Sequence, residues 1–391
     1  MKDKVHVILQ NIYQSSTGLN MDDKSLLIGH AGIALYNILF ANYVSNSQIF
    51  AFSENEIQVL AESATSQMHS SFCTGKAGIN WMFTYLHEKG FIFKEDLDII
   101  CEDDRQILDS SIVMLKSGNY DFLHGGIGIA YYLLAKHDEI DETYFPLIFE
   151  LLEELRDKSD DKNIVPNYSF KQNQILSGEV NLGLAHGIPS LLKFYIQCFK
   201  LGVCSKEARL QALNLIDYLL SNNNVDNSLN YFPSIKNIGD STSKFSRLAW
   251  CYGDLGVGYI LYQAGLVLND SHICDYALDI LIHSTKRKMV NQTLVMDAGF
   301  CHGSAGIAHI YNKMWHYTEN KIFKSATEFW INKTIEFSAF DNGIVGYKRF
   351  ISDSKGYENS QGLLEGVSGI GLVLLSYITG DYSWDYCLML N

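Results

Sequence analysis

The sequence predicts an all-α fold in which seven inner and seven outer helices close most simply into a two-layer α/α ring. This toroid spans residues 1–391 as a single domain. Three observations predict it. A Gly-x-x-Gly mark recurs seven times, a nearly apolar run follows each copy, and segments with one charged face lie between the copies. Only four prolines interrupt the 391 residues, which favours long helices over a loop-rich β fold.

In chain order the marks begin at Gly29, Gly75, Gly125, Gly187, Gly253, Gly303 and Gly366. The second glycine is kept throughout except in the fourth copy, where Ser190 replaces it. Runs such as Ile33–Phe40 and Ile129–Leu134 are apolar on every side, as expected of a helix buried all round. The glycines suit a tight turn into each inner helix, where backbone approaches backbone closely. The outer segments include Glu54–His69, Lys94–Lys116, Tyr144–Lys158, Ser205–Ser221, His272–Lys286 and Phe323–Phe337. In Ala208–Leu220 the apolar residues recur at steps of three and four, the amphipathic period. Each unit thus reads as an outer helix followed by an inner one. The helical pattern lapses within Asn163–Asn181 and Leu229–Arg247, where minor strands fit; these stretches account for the longer third and fourth intervals between copies. An open solenoid accommodates the glycine pattern as well as a ring does. The residues beside the glycines are what favour the ring.

Composition narrows the function. A formal charge of −14 argues against a nucleic-acid surface, which needs a clustered basic footprint. No run approaches the roughly 18 apolar residues of a membrane span, and the N-terminus lacks the apolar stretch of a secretory signal. A cytoplasmic location follows, compatible with peripheral membrane attachment through a partner. Eight cysteines in a chain of this length do not form a disulfide scaffold, and most are expected as free thiols.

In a closed ring, equivalent positions of every repeat face one mouth. The residue before each first glycine is Ile28, Thr74, His124, His186, Tyr252, His302 or Glu365. One step further back stand Leu27, Cys73, Leu123, Ala185, Cys251, Cys301 and Leu364. The fifth and sixth repeats therefore place Cys251 and Cys301 at neighbouring, equivalent positions, with His302 alongside. Two thiolates and one imidazole suit Zn²⁺, and three protein ligands leave the fourth position open, the mark of a catalytic site. Most cysteine–histidine neighbours are not ligands, and no Cys-x-x-Cys spacing supports this set. The repeat register is what raises it. Cys73 shares the register but belongs across the ring and reads as a buried thiol. His30 and His309 read as core or surface histidines on other helix faces. Around the proposed metal stand His186, Asp121, His124, Arg247 and Tyr252. A histidine is the natural acid or base for adding a thiol to an alkene. Asp121 suits orienting it or holding a substrate amide, and Arg247 or Tyr252 suits stabilising an enolate oxygen. On position alone, a polar residue lining a turn explains each of them equally well.

Leu248–Gly256 (Leu-Ala-Trp-Cys-Tyr-Gly-Asp-Leu-Gly), Cys301–Gly306 and Asn181–Pro189 together resemble the signatures of LanC-type lanthionine cyclases, and the likeness runs through all seven repeats. The resemblance implies an α/α toroid with one zinc per chain on Cys251, Cys301 and His302. It implies addition of peptide cysteine thiols to dehydroalanine or dehydrobutyrine in a precursor peptide, giving thioether rings. It also maps functional roles onto His186, Asp121, Arg247 and Tyr252. His124 and Ser190 depart from the family's usual residues, which bears on substrate detail and not on the metal. The chain has no room for a dehydratase, so the resemblance implies a separate dehydratase partner and a transporter as a further one. A second reading is a LanC-like zinc protein that binds glutathione or a signalling partner without cyclase activity. A glycan-processing toroid is weaker still, because it needs paired carboxylates where the register offers Asp121, Asp254 and Glu365 on separate repeats.

Overall fold

The computed structural model describes residues 1–19, 21–45, 57–61, 68–156, 165–169, 172–224, 229–237 and 245–391. Seven inner helices follow the seven glycine marks: α2 (His30–Val44), α3 (Lys76–Glu88), α6 (Gly126–Leu134), α8 (Ile188–Leu201), α10 (Asp254–Leu268), α13 (Ser304–Thr318) and α15 (Val367–Thr379). They are buried all round: every residue from Ser304 to Met314 of α13 is buried. The outer layer contains α1 (Lys2–Ser16), α5 (Asp104–Lys116), α7 (Tyr144–Arg156), α9 (Ser205–Ser221), α11 (Ser271–Ser284) and α14 (Lys321–Glu336), with helical backbone also at 57–61. Most of the expected helix Glu54–His69 lies outside the described residues. Along α9 the buried positions are Ala208, Ala212, Leu215, Ile216, Tyr218 and Leu219, which follow the three- and four-residue steps that the sequence period predicts.

Three features differ from the sequence reading. Lys94–Lys116 is two helices, α4 (Lys94–Ile100) and α5, broken at Cys101–Asp103, where the chain turns into the outer layer. Pairing does not always run outer to inner. α5 packs on α6, which follows it, but α8, α10 and α13 each pack on the outer helix that follows them. Only Asn269 and Asp270 separate α10 from α11, and the Asp270 carboxylate accepts from the amides of His272 (2.9 Å) and Ile273 (3.3 Å) to start the outer helix. Strands β1 (Asn167–Ser169), β2 (Gln174–Leu176), β3 (Glu179–Asn181) and β4 (Ile235–Asn237) fall in the two expected stretches, but the hairpin of β5 (Arg349–Ser352) and β6 (Gly356–Glu358) was not expected.

The array closes. α15 packs against both α13 and α2, and α1 covers α15 and α2 from outside. A collar of backbone hydrogen bonds joins the positions two residues before the glycines at six of its seven junctions, all but that between Leu123 and Ala185. The amide of Leu27 donates to the carbonyl of Cys73 (3.3 Å), Cys73 to Leu123 (2.8 Å), Ala185 to Cys251 (3.4 Å), Cys251 to Cys301 (3.3 Å), Cys301 to Leu364 (2.8 Å) and Leu364 back to Leu27 (2.9 Å). An open solenoid has no such return link. The second glycines allow each helix start to sit against its own collar segment: a Cβ at Gly306 would overlap the carbonyl of Phe300.

The end of the ring away from the glycines is filled by the C-terminal segment. Trp384, Asp385 and Cys387 to Leu390 are buried among the inner helices. Trp250 Nε1 donates to the carbonyl of Leu388 (2.9 Å), Tyr259 Oη to that of Leu390 (2.6 Å) and Lys193 Nζ to that of Asn391 (2.5 Å). Asp385 accepts from Lys313 Nζ (2.6 Å) and lies 2.8 Å from His309 Nε2. Among the described residues, no helix is long and apolar enough to cross a membrane.

Candidate metal centre

The collar link between Cys251 and Cys301 sets their side chains side by side, and His302 follows directly. One donor atom from each of Cys251, Cys301 and His302 lies within 4.8 Å of the other two, and no other such group of three occurs among the described residues. Two sulfurs and an imidazole form the donor set that a zinc ion accepts, so the residues present fit that ion. A hydrogen bond from Cys301, with further help from His302 and the charge of Arg247, pulls the Cys251 thiol well below its ordinary range despite burial. The same hydrogen bond, together with burial, holds Cys301 well above it. Burial opposes charge on His302, but its Cys251 partner outweighs burial and raises the ring.

On the next repeat around the ring, His186 Nδ1 lies 2.6 Å from Asp121 Oδ2. Asp121 is buried, and its other oxygen accepts the amide of His124 at 2.7 Å, which fixes the carboxylate. Burial works against a charged His186, but Asp121 prevails and raises it above its ordinary value. The rings of His124 and His186 are stacked at 6.5 Å, and burial lowers His124. Tyr252 stands on the other side of His186, with ring centroids 6.1 Å apart. Its ring lies over Gly183, where a Cβ would collide with it, and its hydroxyl accepts from Asn181 Nδ2 at 3.4 Å. Arg247 is half-buried, and its charge acts on Cys251, Cys301 and His302 alike. The residues picked from the register therefore converge in one place.

The remaining candidates separate from them. Cys73 is buried, and burial raises its thiol to about 12. His30 and His309 are buried in the inner layer, His309 against Asp385. Asp254 is fully buried, away from the mouth, with its Oδ1 accepting the amides of Tyr231 and Phe232 at 2.9 Å each. Glu365 does face the mouth, 3.9 Å from His302 Nε2, and is paired with Arg349. The sequence reading missed Arg349 and Asp297. Arg349 comes from the unexpected hairpin, which Asp297 anchors by accepting the amide of Phe350 at 2.8 Å. Asp297 sits four residues before Cys301, outside the glycine mark, so the repeat register carried no sign of it.

The model of the family described as lanthionine synthetase C-like protein matches residues 20–389. The nisin biosynthesis protein NisC of Lactococcus lactis subsp. lactis is 25% identical over 397 residues, covering 95% of this chain and 89% of that protein. A solved structure of a nisin cyclase superposes with a TM-score of 0.75 at 21% identity, covering all of this chain and 97% of the other, and shares the fold. With its seven repeats, closed ring and matched residues, the chain belongs to the lanthionine synthetase C-like protein family.

Proposed function

We propose that this chain, acting over residues 1–391 as one unit, is a zinc-dependent lanthipeptide cyclase. It adds cysteine thiols of a dehydrated precursor peptide to dehydroalanine or dehydrobutyrine and forms (methyl)lanthionine rings. The observation that carries this reading is the Cys251–Cys301–His302 donor set beside the Asp121–His186 pair. Family membership and the likeness to the nisin biosynthesis protein support it.

Cys251, Cys301 and His302 would hold the ion. When bound, zinc supplies charge that favours the thiolate of an incoming peptide cysteine, and two cysteine ligands keep that sulfur electron-rich. The sulfur forms a bond to the alkene β-carbon, the π electrons move toward the neighbouring carbonyl, and a proton must reach the α-carbon. His186 is placed to exchange that proton. Asp121 occupies Nδ1, which leaves Nε2 for the transfer and holds the ring in one orientation. Arg247 and Tyr252 flank the region where the carbonyl oxygen gains charge. The alternative, a protein that only binds glutathione or a signalling partner, needs no oriented acid–base pair.

The partners in this reading are the precursor peptide, a separate dehydratase and a transporter, in the cytoplasm and peripheral to the membrane through that complex. The test is to incubate the purified protein with a dehydrated, cysteine-bearing precursor and follow free thiol by alkylation and mass spectrometry. Loss of thiol with wild type and its retention with His186→Ala supports the reading. Equal rates for the two overturn the acid–base assignment, and no loss with wild type overturns cyclisation.

A further inference from the structure

Behind the segment that carries Arg247 and Cys251 lies a buried ion pair that the proposed chemistry does not use. Arg287 is 1% exposed and Asp254 is wholly buried. Isolated charges at such depth are costly, so the geometry that satisfies them is informative. Arg287 Nε donates to the carbonyl of Gln292 at 2.9 Å. One terminal nitrogen, NH2, donates to the carbonyls of both Gln292 and Ser246 at 2.5 Å. The other, NH1, stands 3.8 Å from Asp254 Oδ2, an electrostatic contact without a hydrogen bond. Asp254 Oδ1 meanwhile takes the amides of Tyr231 and Phe232, so both charges are fastened to backbone from several loops. The Phe245 ring covers the guanidinium at 5.5 Å.

The residues pinned in this way bracket Arg247. Ser246 precedes it and is held through its carbonyl. Leu248 follows it, and its amide donates to the carbonyl of Thr293 at 3.1 Å, on the same 287–293 segment. Gly253, with φ +84, lies against the carbonyl of Arg247 itself, where a Cβ would collide. Arg247 is therefore fixed before, after and at its own backbone. A lysine at 287 has one nitrogen and no planar fork, and does not span these acceptors.

We infer that Arg287, with Asp254 beside it, is a positioning residue that fixes the backbone of Arg247, four residues before Cys251. This inference rests on the cyclase reading for its catalytic consequence, and on backbone geometry alone for the placement. The experiment is a cycle of Arg287→Lys, Arg247→Ala and the double variant, with Asp254→Asn as an independent release of the same clamp. Each protein is measured for kcat of cyclisation, zinc content and amide hydrogen exchange across 246–251. The expected result is that Arg287→Lys keeps its zinc, lowers kcat by roughly tenfold and speeds exchange at Leu248, with Asp254→Asn acting in the same direction. In the Arg247→Ala background, Arg287→Lys is expected to cost nothing further. Multiplicative losses in the double variant, or unchanged exchange at Leu248, overturn the inference. A wild type that consumes no thiol overturns the cyclase reading instead, and the exchange measurement still decides the placement of Arg247.

Discussion

The amide of Cys251 donates to the carbonyl of Cys301 at 3.3 Å, so these two residues are neighbours through their backbones before their side chains are considered. The collar that joins them uses main-chain atoms only. Truncating either side chain should leave the collar whole.

Metal retention follows from that separation. The protein is expected to purify with one zinc per chain, matching the one donor cluster among the described residues, whereas Cys251→Ala, Cys301→Ala and His302→Ala lose the ion and keep the helical ring. Elemental analysis beside circular-dichroism melting checks this. A variant with full zinc content excludes the replaced residue as a ligand.

His186→Ala should keep the zinc and lower cyclisation by roughly 10²–10⁴-fold, the usual weight of a positioned acid or base. Asp121→Asn keeps a partner for Nδ1 but not its charge, so its loss should be smaller. Single-turnover rates with a dehydrated precursor measure both effects. An unaffected Asp121→Asn rate would detach the aspartate from the chemistry.

Stability should depend on pH through the same pair. Asp121 raises His186 above its ordinary value, so the folded protein binds this proton more tightly than the unfolded chain does. The stabilisation is fully present below the unfolded histidine value of about 6.5 and disappears as pH rises through the raised folded value. Asp121→Asn should therefore destabilise the protein more at pH 6 than at pH 9. Denaturant midpoints at the two values test this, and a pH-independent difference would refute it.

Lys193 predicts the opposite slope. Burial lowers its amine from 10.5 to about 7, beside Lys313 and Lys200 and with Asp385 opposing. Between those two values only the unfolded chain binds the proton, so stability should rise with pH across that window. Lys193→Met should flatten the rise, as chemical denaturation at several pH values would reveal. A slope that persists in Lys193→Met assigns it to another group.

Gly306→Ala should destabilise the protein by about 3 kcal/mol, because the new methyl meets the carbonyl of Phe300 and neither helix nor collar can give way. Thermal melting measures it. The fourth repeat manages with Ser190, whose hydroxyl turns back to the carbonyl of Gly187 at 2.7 Å.

Much of this was legible in the sequence because it repeats. A glycine that recurs before every apolar run marks one structural position seven times, so Cys251 and Cys301 were paired by register across 50 residues. His186 was found the same way, just before the fourth mark, whereas the role of Asp121 came from the resemblance. What stayed illegible does not repeat. The β5–β6 hairpin is an insertion within one unit, so neither Arg349 nor its hold on Glu365 left a periodic trace. Asp254 occupies a register position but points into the core, because the buried Arg287 and two free amides draw it inward. The partner exchange between layers was hidden because amphipathic period shows which face of a helix is covered, not which neighbour covers it.

The segment from Trp384 to Leu390 gives the ring a floor. Trp250, next to Cys251, bonds to it, and Phe300, next to Cys301, packs on Trp384. A vessel with a closed base cannot be threaded. A peptide must come and go by the same opening, and successive rings would then be made by repeated dipping rather than by passage from one side to the other. The order of ring closure would be governed by which stretch of a flexible chain reaches the cup, and how often, with no ratchet to impose a direction.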